Sequence, residues 1–224
     1  MDLKRTELKF IITIDEYHKL KNELIHLMSL DTHAKVVDRM YHIRSLYFDD
    51  LYDSRALEKA DGIEFHQKYR IRSYDMTASR LEYKTKVGNM TNKQSFWLTK
   101  EVEDALMNQD YEVLYKNLDD SLIQGMVGRM KFDHLKPVLW IDYDREAYTH
   151  KIGDTRITFD KDITATTYGR AFPFKRNVLE PRTLVLEVKY TNILPDFISK
   201  VIFHRNFQVL SYSKYYMGWL LTQV

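Results

Sequence analysis

Tyr69-Arg70-Ile71-Arg72-Ser73-Tyr74, followed after six intervening residues by Leu81-Glu82-Tyr83-Lys84-Thr85-Lys86-Val87, is the stretch on which the fold turns. Both segments alternate with the period of a β-strand, in which residues i and i+2 share a face roughly 6.5–7 Å apart. One face of the first segment therefore carries Arg70 and Arg72, with Tyr69 and Ile71 behind. One face of the second carries Glu82, Lys84 and Lys86, with Leu81, Tyr83 and Val87 behind. Half-buried strands ordinarily set apolar residues against mixed polar ones. Here a whole face is charged, and mostly basic. Like charges opposite each other on adjacent strands destabilise a sheet, so such faces call for a counter-ion.

The same pattern recurs along the chain. Residues 4–14 present Arg5, Glu7 and Lys9, with Thr6, Leu8 and Phe10 behind. Arg156, Thr158 and Asp160 oppose Ile157 and Phe159, and Glu187 and Lys189 oppose Leu186 and Val188. Strands are predicted at 40–48, 64–74, 80–87, 93–100, 138–149, 155–160 and 183–190, with turns at Asp61-Gly62 and Gly88-Asn89. Helical spacing links Tyr17, Leu20, Leu24 and Leu27 behind a cap at Asp15. It recurs at 51–59, through 101–132 (Leu106, Tyr111, Leu114, Leu118, Leu122 and Met126), from Pro195 to about 204, and from Ser211 to Leu221. Many strands with interspersed helices and no regular βαβ rhythm predict an antiparallel sheet or barrel of the α+β class. With no repeat and no Gly/Ser linker, residues 1–224 read as one domain.

Any one charged face also reads as a solvated exterior. Taken together, the apolar faces are the side helices would cover, so the charged faces point into the barrel. An eight-stranded barrel has room inside for side chains or one small ligand. Cations packed there without partners cost several kcal/mol each, so the lining implies an anion. The planar Arg fork suits phosphate oxygens and Lys acts as a point charge. Carboxylates scattered among these cations suit a hard divalent metal.

Composition removes other classes. The formal net charge of +2 supplies no global field for nucleic acid or membranes, and such a lumen is too narrow for bases. The absence of cysteine excludes disulfides, thiolate metal sites and Cys nucleophiles. No Gly-rich phosphate loop is present, which excludes a P-loop enzyme. No run approaches the ~18 apolar residues of a membrane helix, and the charged start is unlike a signal peptide. The expectation is a cytoplasmic chain without a membrane segment. His18, His26 and His33 read as core or surface residues, and Tyr215, Tyr216, Met217 and Trp219 as core packing. Glu101, Glu103 and Asp104 read as a solvated helix start.

One ordered set of segments carries a family resemblance. It comprises Arg5-Thr6-Glu7-Leu8-Lys9, Ser45-Leu46-Tyr47-Phe48-Asp49, Tyr69-Arg70-Ile71-Arg72-Ser73-Tyr74 and Leu81-Glu82-Tyr83-Lys84. It continues with Tyr143-Asp144-Arg145-Glu146-Ala147-Tyr148, Thr155-Arg156-Ile157-Thr158-Phe159-Asp160, Leu186-Glu187-Val188-Lys189 and Ser213-Lys214-Tyr215. In order and spacing, nearly end to end, the chain resembles the polyphosphate polymerase (VTC) domain, a branch of the triphosphate tunnel metalloenzymes related to CYTH proteins.

The resemblance implies an eight-stranded antiparallel β-barrel with flanking helices, whose tunnel binds triphosphate or polyphosphate. It implies a catalytic set of Lys9, Arg70, Arg72, Lys84 and Glu187. Further phosphate contacts would come from Arg5, Arg55, Lys86, Tyr143, Arg145, Arg156 and Lys189, with Ser213 and Lys214 closing one end. Glu187, with Glu7, would hold Mn2+ or Mg2+. The wider CYTH group begins with two glutamates before the lysine; Arg5 stands at the first of those positions, which implies a single metal. The implied activity is metal-dependent phosphoryl transfer, with synthesis of inorganic polyphosphate from ATP as the leading form. A tripolyphosphatase or nucleoside triphosphatase, or a non-catalytic polyphosphate-binding module, is the alternative. The implied partners are ATP or another nucleoside triphosphate and inorganic polyphosphate or tripolyphosphate. The phosphate-sensing domain and membrane helices of eukaryotic members are expected to be absent.

Overall fold

Alternating and helical periodicities both persist in the structure, a computed structural model that describes residues 5–34, 39–60, 63–88, 90–170 and 173–223. The Asp61-Gly62 turn and Asn89 lie outside the described residues. In chain order the elements are β1 (Arg5–Thr13), α1 (Ile14–Leu27), β2 (Ser29–Leu30), β3 (Met40–Asp49), α2 (Ser54–Ala60), β4 (Phe65–Tyr74), β5 (Ala78–Val87) and β6 (Met90–Leu98). The chain continues through α3 (Lys100–Asn108), α4 (Tyr111–Lys116), α5 (Ser121–Phe132), β7 (Lys136–His150), β8 (Thr155–Thr167), β9 (Lys175–Asn177), β10 (Thr183–Thr191), α6 (Asp196–Phe203) and α7 (Lys214–Thr222). The fold is α+β. Its main antiparallel sheet has eight strands in the order β1-β10-β8-β7-β3-β4-β5-β6, with β2 paired to β7 and β9 to β8.

Two compact units divide the chain: residues 1–42, 143–163 and 179–212 form the first, and 43–142, 164–178 and 213–224 the second. Each has its own core. In the first, Tyr17, Leu20 and Leu24 of α1 and Ile198 and Ile202 of α6 pack with Phe10, Phe159, Leu186 and Val188 from the apolar faces of the strands. Burying each such side chain stabilises the fold by about 1.5–3 kcal/mol. The second core sets Tyr69, Ile71 and Leu81 against Leu106, Leu114, Leu122, Ile123 and Met126 of α3, α4 and α5. Helices thus cover the apolar strand faces within each unit, and the charged faces are turned away from them.

Local chemistry sets the boundaries. The cap of α1 is Thr13 and not the expected Asp15. The Thr13 hydroxyl accepts from the Glu16 amide, and the Glu16 carboxylate accepts from the Thr13 amide at 2.7 Å, a reciprocal capping box. The 101–132 insertion is three helices, broken where Gln109 adopts a left-handed conformation and where Asp110 and Asp120 cap α4 and α5. β8 runs seven residues beyond its predicted end, to Thr167, and α7 begins at Lys214, after its cap Ser213, not at Ser211. The β7–β8 connection needs Gly153, at φ 66°, where an added Cβ would lie 2.1 Å from the Ile193 carbonyl oxygen. Gly218 lets α7 approach β7 and β8, because a Cβ there would lie 2.6 Å from Ile141 Cδ1 and 3.0 Å from Ala165 Cβ.

Candidate functional site

In the second unit, strand register decides which charges meet. Lys68 of β4 lies opposite Lys84 of β5, and Lys84 lies opposite Lys93 of β6, so three lysines form one cross-strand row. In the next row Arg70 lies opposite Glu82, and beyond it Arg72 lies opposite Arg80. Glu82 is the one carboxylate on this face of β4, β5 and β6 among the described residues. It is 1% exposed and gathers the cations around it. Arg70 donates to it through Nε at 2.7 Å and pairs through Nη2 at 2.6 Å; Arg72 Nη1 lies at 3.8 Å and Lys93 Nζ at 2.5 Å. Burial raises the Glu82 carboxyl, but Arg70, Arg72 and Lys93 outweigh it and hold the group far below the usual carboxylate range.

Arg70 also donates through Nη1 to the Tyr47 hydroxyl at 2.9 Å. Tyr47 is 7% exposed and stacks on Tyr215 at 4.8 Å. Burial by itself raises the Tyr47 phenol; the Arg70 and Arg72 guanidiniums reverse this and bring it down to about 8. Nearby, Lys68 donates to Ser213 Oγ at 3.1 Å, and the same oxygen caps α7 by accepting from the Tyr216 amide. Lys214 is the first residue of that helix. Lys84 is half-buried and Lys86 exposed. Arg55 belongs to a separate network on α2, bonded to Glu58 at 2.6 Å and near Asp133 at 3.9 Å, with its Nε buried and unbonded.

The first unit's charged face is built differently. In the β1–β10 register, Glu7 lies opposite Lys189 and Lys9 opposite Glu187, a checkerboard of two acids and two bases. Lys9 sits 2.9 Å from Glu7 and 3.7 Å from Glu187; Lys189 sits 3.5 Å from Glu7 and 3.0 Å from Glu187. Lys9 also donates to the Tyr212 carbonyl at 3.1 Å. The two carboxylates thus share both ammonium groups. Burial raises Glu187, yet Lys189 and Lys9 hold it well below the usual range. Arg5 is exposed at the start of β1 opposite Thr191.

On the adjoining strands the remaining cations are already engaged. Arg145 makes a bidentate pair with Asp160 at 2.6 and 2.7 Å and lies 5.3 Å from the Tyr143 ring. Arg156 pairs with Asp31 at 3.0 Å and donates to the Tyr41 hydroxyl at 2.9 Å. Thr158, opposite Glu187, is 2% exposed, and its hydroxyl has no hydrogen-bond partner.

Thus the second unit brings together Arg70, Arg72 and Lys84, with Ser213 close to the lysine row through Lys68. The first brings together Glu7, Lys9, Glu187 and Lys189. Sequence reading did not single out Glu82 as a hub, Lys68 and Lys93 as members of the lysine row, or Tyr47, Asp31 and Tyr41 as partners. The period-2 pattern already placed Lys68 on the Arg70 face, a signal that could have found it.

Among the described residues no cluster of three or more His, Cys, Asp or Glu side chains forms a metal site. Glu7 and Glu187, two carboxylates that share Lys9 and Lys189, nevertheless fit a hard divalent cation, because magnesium-type ions commonly use one or two carboxylates and complete their shell with water and substrate phosphate. No helix among the described residues is long and apolar enough to cross a membrane.

No curated protein matches the sequence at a significant level. Among solved structures, a Vibrio parahaemolyticus protein described as a "putative adenylate cyclase" shares the fold at a TM-score of 0.52, with 7% identity over 97% of this chain and 98% of its own. A Bacillus halodurans protein of the same description aligns at a TM-score of 0.48 and 13% identity, over 94% and 95% of the two chains. A Pyrococcus horikoshii protein aligns at 0.48 and 14%, over 98% and 99%. At these identities a shared fold does not carry function. The VTC domain family model matches residues 4–222, and the chain belongs to that family.

Proposed function

We propose that this protein transfers the terminal phosphoryl group of a nucleoside triphosphate, ATP foremost, to the end of an inorganic polyphosphate chain. The observation that carries the reading is the row Lys68, Lys84 and Lys93 beside Arg70 and Arg72, relieved by the single carboxylate Glu82. A sheet face so charged is stable with a polyanion against it, and both Arg and Lys form charge-assisted hydrogen bonds to phosphate oxygens.

In phosphoryl transfer the protein contributes positioning and charge stabilisation. Arg72, Lys84 and Lys93 bind and align phosphate oxygens, while Arg70, fixed by Glu82 and Tyr47, presents charge from a set position. Ser213 and Lys214 add an amide terminus and an ammonium where Lys68 already meets Ser213. Glu187 and Glu7 would hold Mn2+ or Mg2+. When bound, such a cation would neutralise charge on phosphate oxygens. Lys9 and Lys189, which share those carboxylates, keep both ionised and add positive charge for phosphate oxygens. The attacking oxygen is that of the chain end, and the nucleoside diphosphate leaves.

The test is a polyphosphate gel after incubating purified protein with ATP and manganese, run beside a free-phosphate assay. Long chains that vanish in Glu187→Gln, with polyphosphate binding retained, are expected. Free phosphate without chains moves the conclusion to a triphosphatase, and full activity in Glu187→Gln removes the carboxylate from the mechanism.

A further inference from the structure

Thr158 presents a contradiction of ordinary packing. Its side chain is 2% exposed, yet its hydroxyl bonds to nothing. Leaving a buried hydroxyl unsatisfied costs about 1–3 kcal/mol, and valine would fill the same volume without that cost. Orphans of this kind in a folded protein mark a function or a missing ligand. The position supplies the context. Thr158 lies directly across from Glu187 in the β10–β8 pairing, and its same-face neighbours along β8, Arg156 and Asp160, are both occupied by protein partners. The hydroxyl is therefore an uncommitted oxygen on β8, opposite Glu187, whose carboxylate shares two lysines with Glu7; the Tyr212 hydroxyl is likewise buried and unbonded but belongs to no strand.

We propose that Thr158 Oγ1 is a third protein oxygen of the site made by Glu7 and Glu187, and that it engages the divalent cation those carboxylates hold. This rests on the metal reading above. A hydroxyl is a competent neutral ligand for a hard cation, and a third oxygen adds coordination without adding negative charge near incoming phosphate. It also explains why no third carboxylate accompanies Glu7 and Glu187 among the described residues.

The test is manganese binding to the purified protein without nucleotide, read by electron paramagnetic resonance, for wild type, Thr158→Val, Thr158→Ser and Glu187→Gln. Thermal melting of each variant without metal runs alongside. Thr158→Val should bind manganese about tenfold more weakly, while melting at or above the wild-type temperature. Thr158→Ser should bind within about threefold of wild type. Wild-type affinity in Thr158→Val, with loss in Glu187→Gln, overturns the role of Thr158 and leaves the carboxylate site standing. Wild-type affinity in Glu187→Gln overturns the metal reading and the proposal with it. A lowered melting temperature in Thr158→Val would show that the hydroxyl has a protein partner and would remove the premise.

Discussion

The charged faces of the two units solve the same electrostatic problem in opposite ways. On β1 and β10, Glu7, Lys9, Glu187 and Lys189 alternate like squares of a board, each acid touching both bases. The group is close to self-neutral. On β4, β5 and β6 the register stacks like charges, lysine against lysine against lysine and arginine against arginine, around the single acid Glu82. That face is far from neutral. The difference underlies the two roles proposed above: the balanced set for a metal ion, the unbalanced set for an anion.

Breaking the hub should have the largest effect. Glu82→Leu leaves Arg70, Arg72 and Lys93 without their shared partner and is expected to cost roughly 3–5 kcal/mol of stability in urea denaturation. Saturating tripolyphosphate should restore part of that, about 2.7 kcal/mol at a hundredfold excess over Kd. A cost below about 1 kcal/mol would mean that the cations repel one another less than the register implies.

The checkerboard should tolerate the equivalent insult. In Lys189→Gln, Lys9 still contacts both carboxylates, at 2.9 and 3.7 Å, and Lys189 is a quarter exposed. The expected cost is at most about 1 kcal/mol by the same denaturation. A loss matching that of Glu82→Leu would erase the contrast between the two faces.

Tyr47 sharpens it. The phenol ionises at about 8 in the folded protein against an ordinary 10.0, so between those values the unfolded chain holds more protons. Stability therefore rises as pH climbs through that window, and Tyr47→Phe should flatten the rise. Ultraviolet titration should lose its earliest phenol in Tyr47→Phe, while Tyr74, raised by burial but pulled below its ordinary value by Arg72, remains. Tripolyphosphate that occupies Arg70 and Arg72 should move the Tyr47 phenol back up.

How far the sequence foretold this depends on the distance over which each feature is written. Alternation is local, so the sequence alone places Arg70, Arg72, Lys84 and Lys86 on one kind of face, and the apolar residues behind them in the helix-covered core. Helix ends turn on one or two hydrogen bonds. Thr13 displaced Asp15 as the cap of α1 because the reciprocal bond with Glu16 was available to it. Short β2 and β9 carry too few residues for any period to register. The partners that decide each cation's availability come from far along the chain. Arg156 meets Tyr41 from 115 residues away, and nothing near either residue encodes the pair. The family resemblance implies a phosphate contact for Arg145, and the sequence near it does not show that its guanidinium is bonded twice to Asp160.

The most direct measurement is calorimetric titration of tripolyphosphate into wild type and the Lys84→Ala/Lys93→Ala variant at low salt, without metal. The variant should bind at least about tenfold more weakly, or 1.4 kcal/mol, with the fold intact. Equal affinities in the two proteins would contradict this, because the face that most needs an anion would then not be the one that binds it.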